Sequence, residues 1–331
     1  MLHDLKSLTS LRFFAAFWVF LFHLRLRTDF GQGWFSDFIA NGARGVDFFF
    51  ILSGFVILHV YDSDFSRWQF LLKRFARIFP LHAVMTALFI ALAVIGSNPV
   101  EGVWQSVLLL HGANTTDGLV LNGPSWTLSA DMFAYLLFAL IPFRQTWIIA
   151  AACVASFLAA HILSVSLGKT AFLHMTWDYG VVRIVPLFLL GMLLRRLAPY
   201  ISEPLAVAGG IVGIVLLAWI GSMQNAGYAI LAPFALLIVS GARLSNWKFF
   251  TNSKLAVYLG EISYSTYMIH IFLLAVFFDY LPKLGIPTPH WSVISVALLA
   301  ASSVSYHLIE VPARRWINAQ SRFLLFRHSE R

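Results

Sequence analysis

Apolar runs of about 17 to 25 residues recur along this 331-residue chain and constrain its fold more than any other feature. A helix of about 20 apolar residues is as long as the hydrocarbon core of a bilayer is thick. Hydrophobic residues make up 59% of the chain and charged residues 11%, whereas about a quarter of the residues in a soluble domain are charged. We therefore predict an all-α, polytopic integral membrane protein.

Polar, Gly and Pro positions divide the apolar runs into about ten predicted transmembrane helices. They cover residues 8–25, 44–61, 74–97, 125–142, 146–165, 177–195, 204–222, 226–241, 254–280 and 291–312. The short connector at residues 143–145 predicts antiparallel neighbours. No Pro-rich or Ser-rich linker interrupts the pattern, so we expect one membrane domain over residues 1–331 and no additional soluble domain.

The distribution of lysine and arginine predicts the orientation. With a cytoplasmic N-terminus, the inner segments hold fifteen of these residues and the outer segments five. Such a bias is what the positive-inside rule describes, and it places both termini in the cytoplasm. The net charge of +8 is thereby explained by topology, and we expect no nucleic-acid partner.

The first predicted span carries two ionisable residues, Arg12 and His23. Eleven helical steps leave the two side chains only about 20° apart around the helix and about 16 Å apart along it. A snorkelling arginine and an interfacial histidine would fit this pattern. A polar face that lines an internal cavity would fit it equally, because ionisable side chains inside a membrane face such cavities.

The second span opens with GARGVDFFFILSGF, and Asp47 lies near its start. One reading makes Asp47 a cap that accepts hydrogen bonds from the first backbone N–H groups of the helix. The other reading makes it a partner that orients His23 of the preceding helix.

Arg74 and Arg77 open the third span in the stretch KRFARIFP, at i and i+3, and therefore share one helix face. They are either interfacial anchors or a clamp for an anion, since guanidinium groups bind phosphate oxygens in pairs. Arg195 and Arg196, at the inner end of a later span, are candidates to join the same basic site.

Two further motifs contribute polar side chains. GPSWTLSAD opens the fourth span, where Trp126 is either an interfacial belt residue or part of a saccharide site with its polar neighbours. HLIEVPARRW ends the last span with Glu310, which forms either an ion pair with Arg314 or part of the same polar site. The candidate acceptor-site or structural residues are Trp126, Ser129, Asp131 and Glu310. His307 and Glu310 alone are too few for a metal site, and none is expected.

Together these motifs, in this order and spacing on about ten helices, resemble the membrane acyltransferase 3 family, the bacterial polytopic O-acyltransferases of surface glycans. The resemblance covers essentially the whole chain. It runs from Arg12 and His23 through GARGVDFFFILSGF, RFAR and GPSWTLSAD to HLIEVPARRW. The chain departs from the family at Asp131, where a glutamate is usual, and this leaves the role of that carboxylate open.

The resemblance implies an activity and its substrates. A cytoplasmic acyl-CoA, usually acetyl-CoA, would donate an acyl group to a hydroxyl of a saccharide, an exopolysaccharide or a lipid-linked glycan, in the inner membrane of a bacterial cell. Arg12 and His23 would matter for activity, and Arg74 and Arg77 would handle the donor. No permanently bound cofactor is expected, and whether the chain forms a homo-oligomer is left open.

The chemistry of ester transfer assigns roles to these residues. A base must take the proton of the acceptor hydroxyl, and imidazole titrates in a suitable range. We predict His23 as that base, oriented by Asp47, with Arg12 either polarising the thioester or holding the pantetheine arm; a covalent acyl-histidine is a variant of the same scheme. The rival readings are a secondary transporter, whose intramembrane charges would serve ion coupling, and a membrane subunit of a glycan export system.

Overall fold

The computed structural model describes residues 5–63, 65–141, 145–244 and 252–329, with side chains to residue 320. Every regular element in these ranges is helical, which confirms the all-α prediction. The α-helices are α1 (Lys6–Arg25), α2 (Trp34–Ala40), α3 (Gly45–Val60), α4 (Arg67–Ile95), α5 (Val103–Val107), α6 (Trp126–Leu140), α7 (Thr146–Ser166), α8 (Gly180–Leu197), α9 (Glu203–Ile220), α10 (Leu231–Arg243), α11 (Lys254–Glu261), α12 (Ser263–Ala275), α13 (Trp291–Ser305) and α14 (Val311–Ser329).

Seven helical segments of the described chain are long and apolar enough to cross a membrane, as a polytopic protein requires. They are Lys6–Arg25, Gly42–Val60, Arg67–Ile95, Thr146–Ser166, Glu203–Ile220, Ser263–Leu284 and Trp291–Gln320. The other three predicted spans also coincide with helices, but α6 and the apolar helix Gly227–Arg243 are shorter and α8 carries three arginines. The count of ten and the cytoplasmic termini stay predictions. Most of the connector at 143–145 lies outside the described residues.

The chain divides into two compact units, each described by itself. Unit 1 comprises Met1–Asp62, Phe143–Met175 and Val182–Tyr267. Unit 2 comprises Ser63–Pro142, Thr176–Val181 and Met268–Arg331. The prediction of a single domain stays a prediction.

In unit 1, glycines allow α3 to approach the backbone of α1. A Cβ added at Gly42 would overlap the carbonyl oxygen of Trp18, and one at Gly45 would meet that of Ala15. Residue numbers rise along α3 while their partners' numbers fall along α1, so the two helices are antiparallel. The start of α3 therefore lies at the end of α1 that carries His23.

A second close approach joins α3 to α8 in the same unit. A Cβ at Gly54 would overlap the carbonyl oxygen of Phe188, and one at Gly191 would overlap that of Ile51. Small residues at such contacts are characteristic of helix association in membranes, where packing rather than the hydrophobic effect holds helices together.

We expect Gly54→Ala to lower the thermal unfolding midpoint of the purified protein and to reduce its free energy of unfolding by about 1–3 kcal/mol or more. The new methyl group would overlap backbone atoms, which cannot rotate away as a side chain can. Fluorescence-detected size exclusion after heating measures the effect. Gly118→Ala is the matched control, since nothing lies within 4 Å of a Cβ there. Equal midpoints for the two variants would contradict this account of the contact.

In unit 2, α4 packs against α6 and α14. The side chain of Ser66 caps α4 by accepting a hydrogen bond from the backbone N–H of Gln69. The last span contains a π-helical turn, Tyr306–Glu310, immediately before α14. Such turns often occur at functional sites, and this one precedes the helix that packs against α4, which carries Arg74 and Arg77.

Candidate active site

The ring of His23 is held by its own helix. Its Nδ1 lies 2.9 Å from the carbonyl oxygen of Val19, one turn earlier in α1. A carbonyl oxygen only accepts hydrogen bonds, so Nδ1 carries the proton in the neutral ring and Nε2 carries the basic lone pair. The local backbone thus fixes the tautomer that a general base requires.

Arg12 lies on the same uninterrupted helix, as predicted, and both side chains are partly buried. The rise of an α-helix over eleven residues separates them by about 16 Å along its axis. The close approach of α11 at Gly260, against the carbonyl oxygen of Thr9, fixes the part of α1 that precedes Arg12.

Asp47 has a partner that neither reading of the sequence named. Its side chain is completely buried and its Oδ1 accepts hydrogen bonds from Nε and Nη2 of Arg183 at 2.8 and 2.7 Å. No side chain caps α3, so the capping reading is wrong, and Nδ1 of His23 lies against Val19. The guanidinium of Arg183 neutralises the buried charge of Asp47. Whether Asp47 takes part in catalysis stays a prediction.

Arg183 was missed by the sequence analysis as a site residue. It is 3% exposed, and besides Asp47 its Nη1 donates to the carbonyl oxygen of Met175 at 2.9 Å. The sequence did contain a sign of its importance, because a lone arginine inside an apolar helix requires an acidic or carbonyl partner. The sequence could not say which partner.

In unit 2, Arg74 and Arg77 belong to one cluster of ionisable groups, as expected for positions i and i+3. The guanidinium of Arg74 lies 5.8 Å from the ring centre of Phe70 and 5.9 Å from that of Tyr135. Both are cation–π distances, so the aromatic rings position the charge. The charges that act on Arg77 are those of Arg74, Glu310 and Arg314.

Glu310 is the carboxylate among these arginines. It ends the π-helical turn and its side chain is 5% exposed. The charges of Arg74, Glu310 and Arg314 act on Arg77 in this cluster. Guanidinium groups placed together in this way are suited to an anion with several oxygens, because they bind its oxygens in pairs.

The GPSWTLSAD motif forms a packed contact in unit 2. Trp126 is 5% exposed and its ring abuts Gly180, so the interfacial-belt reading is wrong for this residue. Ser129 donates to the carbonyl oxygen of Leu109 at 2.6 Å and accepts from the N–H of Gly112 at 3.2 Å. These bonds tie the 108–125 loop to α6. Asp131 lies partly buried on α6.

Arg195 and Arg196 have partners within unit 1. Nε of Arg195 lies 3.0 Å from Nδ1 of His59, and Arg196 binds both carboxylate oxygens of Asp62 at 2.7 and 2.9 Å. They belong to unit 1 and Arg74 and Arg77 to unit 2, so the predicted joint donor site stays a prediction.

Unit 2 also contains a buried histidine pair that the sequence analysis did not single out. The rings of His82 and His111 lie parallel with centres 5.7 Å apart. His82 Nε2 lies 2.8 Å from the carbonyl oxygen of Ser106, and His111 Nε2 lies 2.9 Å from Oγ of Ser125. Burial and the neighbouring imidazole lower the pKa of His111 to about 4.

This shift predicts a loss of stability in mild acid. Because the folded-state pKa of His111 is depressed from 6.5, stability is intact above pH 6.5 and falls as pH drops towards 4, by about 3 kcal/mol over the full range. We expect the thermal unfolding midpoint of the wild type to fall more steeply than that of His111→Gln between pH 7.5 and pH 4.5. Parallel curves would contradict the assignment.

Among the residues that the structure describes, no group of three or more His, Cys, Asp and Glu side chains could hold a metal ion. The expectation of a metal-free reaction stays a prediction.

The fold and these sites define a polytopic membrane protein with a helix-anchored histidine in one unit and an arginine cluster in the other. The sequence model of the acyltransferase 3 family, described as an acyltransferase domain, matches residues 5–307. The chain therefore belongs to this family. No solved structure matches it.

Several bacterial proteins are similar to the chain. It is 27% identical to acyltransferase MdmB of Streptomyces mycarofaciens, over 82% of this chain and 79% of MdmB. It is 27% identical to nodulation protein 10 of Rhizobium leguminosarum bv. viciae, over 92% of each protein. It is 24% identical to O-acetyltransferase OatA of Staphylococcus aureus, over 94% of this chain but 57% of OatA.

Proposed function

We propose that this protein transfers an acyl group, most simply acetyl, from cytoplasmic acyl-CoA to a hydroxyl of a saccharide in the inner membrane of a bacterium. The acceptor is an exopolysaccharide or a lipid-linked glycan. The observation that carries the proposal is family membership over residues 5–307, together with relatives named as an acyltransferase and an O-acetyltransferase.

In the proposed reaction, Nε2 of His23 takes the proton of the acceptor hydroxyl. The hydroxyl oxygen forms a bond to the thioester carbonyl carbon, the carbon–sulfur bond breaks, and the imidazolium returns the proton to the CoA thiolate. The Nδ1 hydrogen bond to Val19 supports this role because it leaves Nε2 as the basic atom. Arg12 polarises the thioester carbonyl or holds the pantetheine arm.

Arg74 and Arg77 bind the phosphates of CoA in this proposal. Their support is the arginine cluster around Glu310, whose guanidinium groups suit an anion with several oxygens. Arg195 and Arg196 are assigned a secondary part, because Asp62 already neutralises Arg196.

Trp126, Ser129 and Asp131 are assigned to the support of the acceptor site. Trp126 and Ser129 are buried and occupied by contacts within unit 2, so they hold the loop that precedes α6 in place. Glu310 is assigned to the arginine cluster as its counter-ion, in place of a direct acceptor contact.

Donor binding tests the proposal without knowledge of the acceptor. Purified protein in lipid nanodiscs is titrated with acetyl-CoA, succinyl-CoA, free CoA and adenosine. We expect saturable binding of an acyl-CoA and of CoA, and much weaker binding of adenosine, which lacks the phosphates. Folded protein that binds none of them would contradict the proposal and favour the transporter reading.

A further inference from the structure

Three buried polar atoms on α4 and α5 of unit 2 have no hydrogen-bond partner among the residues that the structure describes. They are Nδ1 of His82, Oγ1 of Thr86 and Oγ of Ser106. These residues are 1%, 4% and 1% exposed, so bulk solvent does not reach their side chains. A buried polar atom without a partner costs free energy and is rare in folded proteins, so three of them on two packed helices require an explanation.

The tautomer of His82 makes its remaining nitrogen a hydrogen-bond acceptor. Nε2 lies 2.8 Å from the carbonyl oxygen of Ser106, which only accepts, so Nε2 carries the proton and Nδ1 the lone pair. The ring of His111 does not supply the missing donor, because it stacks parallel to the ring of His82. Its two nitrogens lie against the carbonyl oxygen of Gln105 and Oγ of Ser125. Nδ1 of His82 therefore requires an O–H or N–H from a further molecule.

Thr86 and Ser106 supply the groups that complement this acceptor. Thr86 lies one turn after His82 on the same face of α4, and Ser106 is held to His82 through its carbonyl oxygen. Each hydroxyl can donate one hydrogen bond and accept others. A hydroxyl group of a bound molecule can donate to Nδ1 and accept from both side chains at once. A buried water typically makes about three such bonds to polar groups that otherwise have no partner.

We propose that His82, Thr86 and Ser106 bind the hydroxyl group of a neutral molecule, and that this molecule is water in the saccharide-free protein. The bound O–H donates to Nδ1 of His82, and the bound oxygen accepts from the two side-chain hydroxyls. The site joins α4 to α5, after which the chain continues through the 108–125 loop to α6. A hydroxyl of the saccharide acceptor, which rests on the proposed function, has the same chemistry, so the test separates the two sources.

Removing the side-chain hydroxyls tests the site. The thermal unfolding midpoint of purified, saccharide-free protein is measured for the wild type, Thr86→Val, Ser106→Ala and the double variant. We expect each single change to lower the midpoint by about 2–4 °C, because one hydrogen bond to the bound water is lost. The double variant should lose less than the sum, because both hydroxyls hold the same molecule. Thr146→Val is the matched control, an exposed threonine at the start of α7 that should leave the midpoint unchanged.

A hydroxyl without a partner predicts the opposite sign, because its removal relieves the cost of burial. Midpoints that rise or stay unchanged in both single variants would therefore exclude water as the occupant. Fully additive losses, or an equal loss in Thr146→Val, would overturn the shared site.

Acyl transfer separates the saccharide from the remaining outcomes when water is excluded. The readout is the rate at which label from radioactive acetyl-CoA enters base-labile ester in membranes. A rate at least about fivefold lower in Thr86→Val, with acetyl-CoA binding unchanged, would retain the site and assign it to the saccharide. An unchanged rate would overturn it. Wild-type membranes that form no labelled ester would refute the proposed function, whereas lowered midpoints would still establish the water site.

Discussion

Replacing His23 with alanine should reduce acyl transfer by about 10²- to 10⁴-fold, the usual contribution of a general base, while acetyl-CoA binding stays unchanged. The imidazole is the group whose tautomer the helix fixes through Val19, so its loss removes the proposed proton acceptor without removing the donor site. The measurement is the rate at which label from radioactive acetyl-CoA enters base-labile ester in membranes that contain each variant.

His307→Ala is the control for this prediction. His307 is an exposed histidine that borders Glu310 in the sequence but has no assigned role, and its loss should leave the rate nearly unchanged. Full activity in folded, membrane-inserted His23→Ala would refute the assignment. A loss in His307→Ala as large as that in His23→Ala would show that the assay reports general damage.

Removing both Arg74 and Arg77 should weaken acetyl-CoA binding by at least about 100-fold, because each charge-assisted hydrogen bond to phosphate contributes about 1.5–3 kcal/mol. Because the two arginines bind the phosphates in this proposal, and free CoA carries the same phosphates as acetyl-CoA, the affinity for both should fall equally. Titration in nanodiscs measures both affinities.

Lys73→Ala is the matched control for the arginine pair. Lys73 lies on the same turn of α4 but is exposed, so its removal should change affinity by no more than about twofold. If the double arginine variant binds acetyl-CoA as well as the wild type, the cluster is not the donor site.

The sequence was sufficient to predict the helices and to predict which residues lie together on one helix. Apolar length and polar breaks located seven described segments that are long and apolar enough to span a membrane, because both features follow from the thickness and dryness of the bilayer. The common helix of Arg12 and His23, and the shared cluster of Arg74 and Arg77, follow from helical periodicity alone. Both relations depend only on the geometry of a few consecutive helical turns.

Partners distant in sequence were not predictable in this way. Asp47 and Arg183 are 136 positions apart, and periodicity does not pair residues from separate helices. The sequence therefore offered His23 as the nearest partner of Asp47 and did not indicate Arg183. The stacking of His82 and His111 was likewise not predictable, because a loop rather than a shared helix face brings the two rings together.

Transfer across sealed vesicles tests the central claim most directly. Inside-out membrane vesicles from cells that express the protein expose the cytoplasmic face to added radioactive acetyl-CoA, and right-side-out vesicles do not. The account predicts ester-linked label in the saccharide fraction of inside-out vesicles only, and none in vesicles that lack the protein or carry His23→Ala. Label that appears equally in right-side-out vesicles, or in neither preparation while the protein is folded, would contradict it.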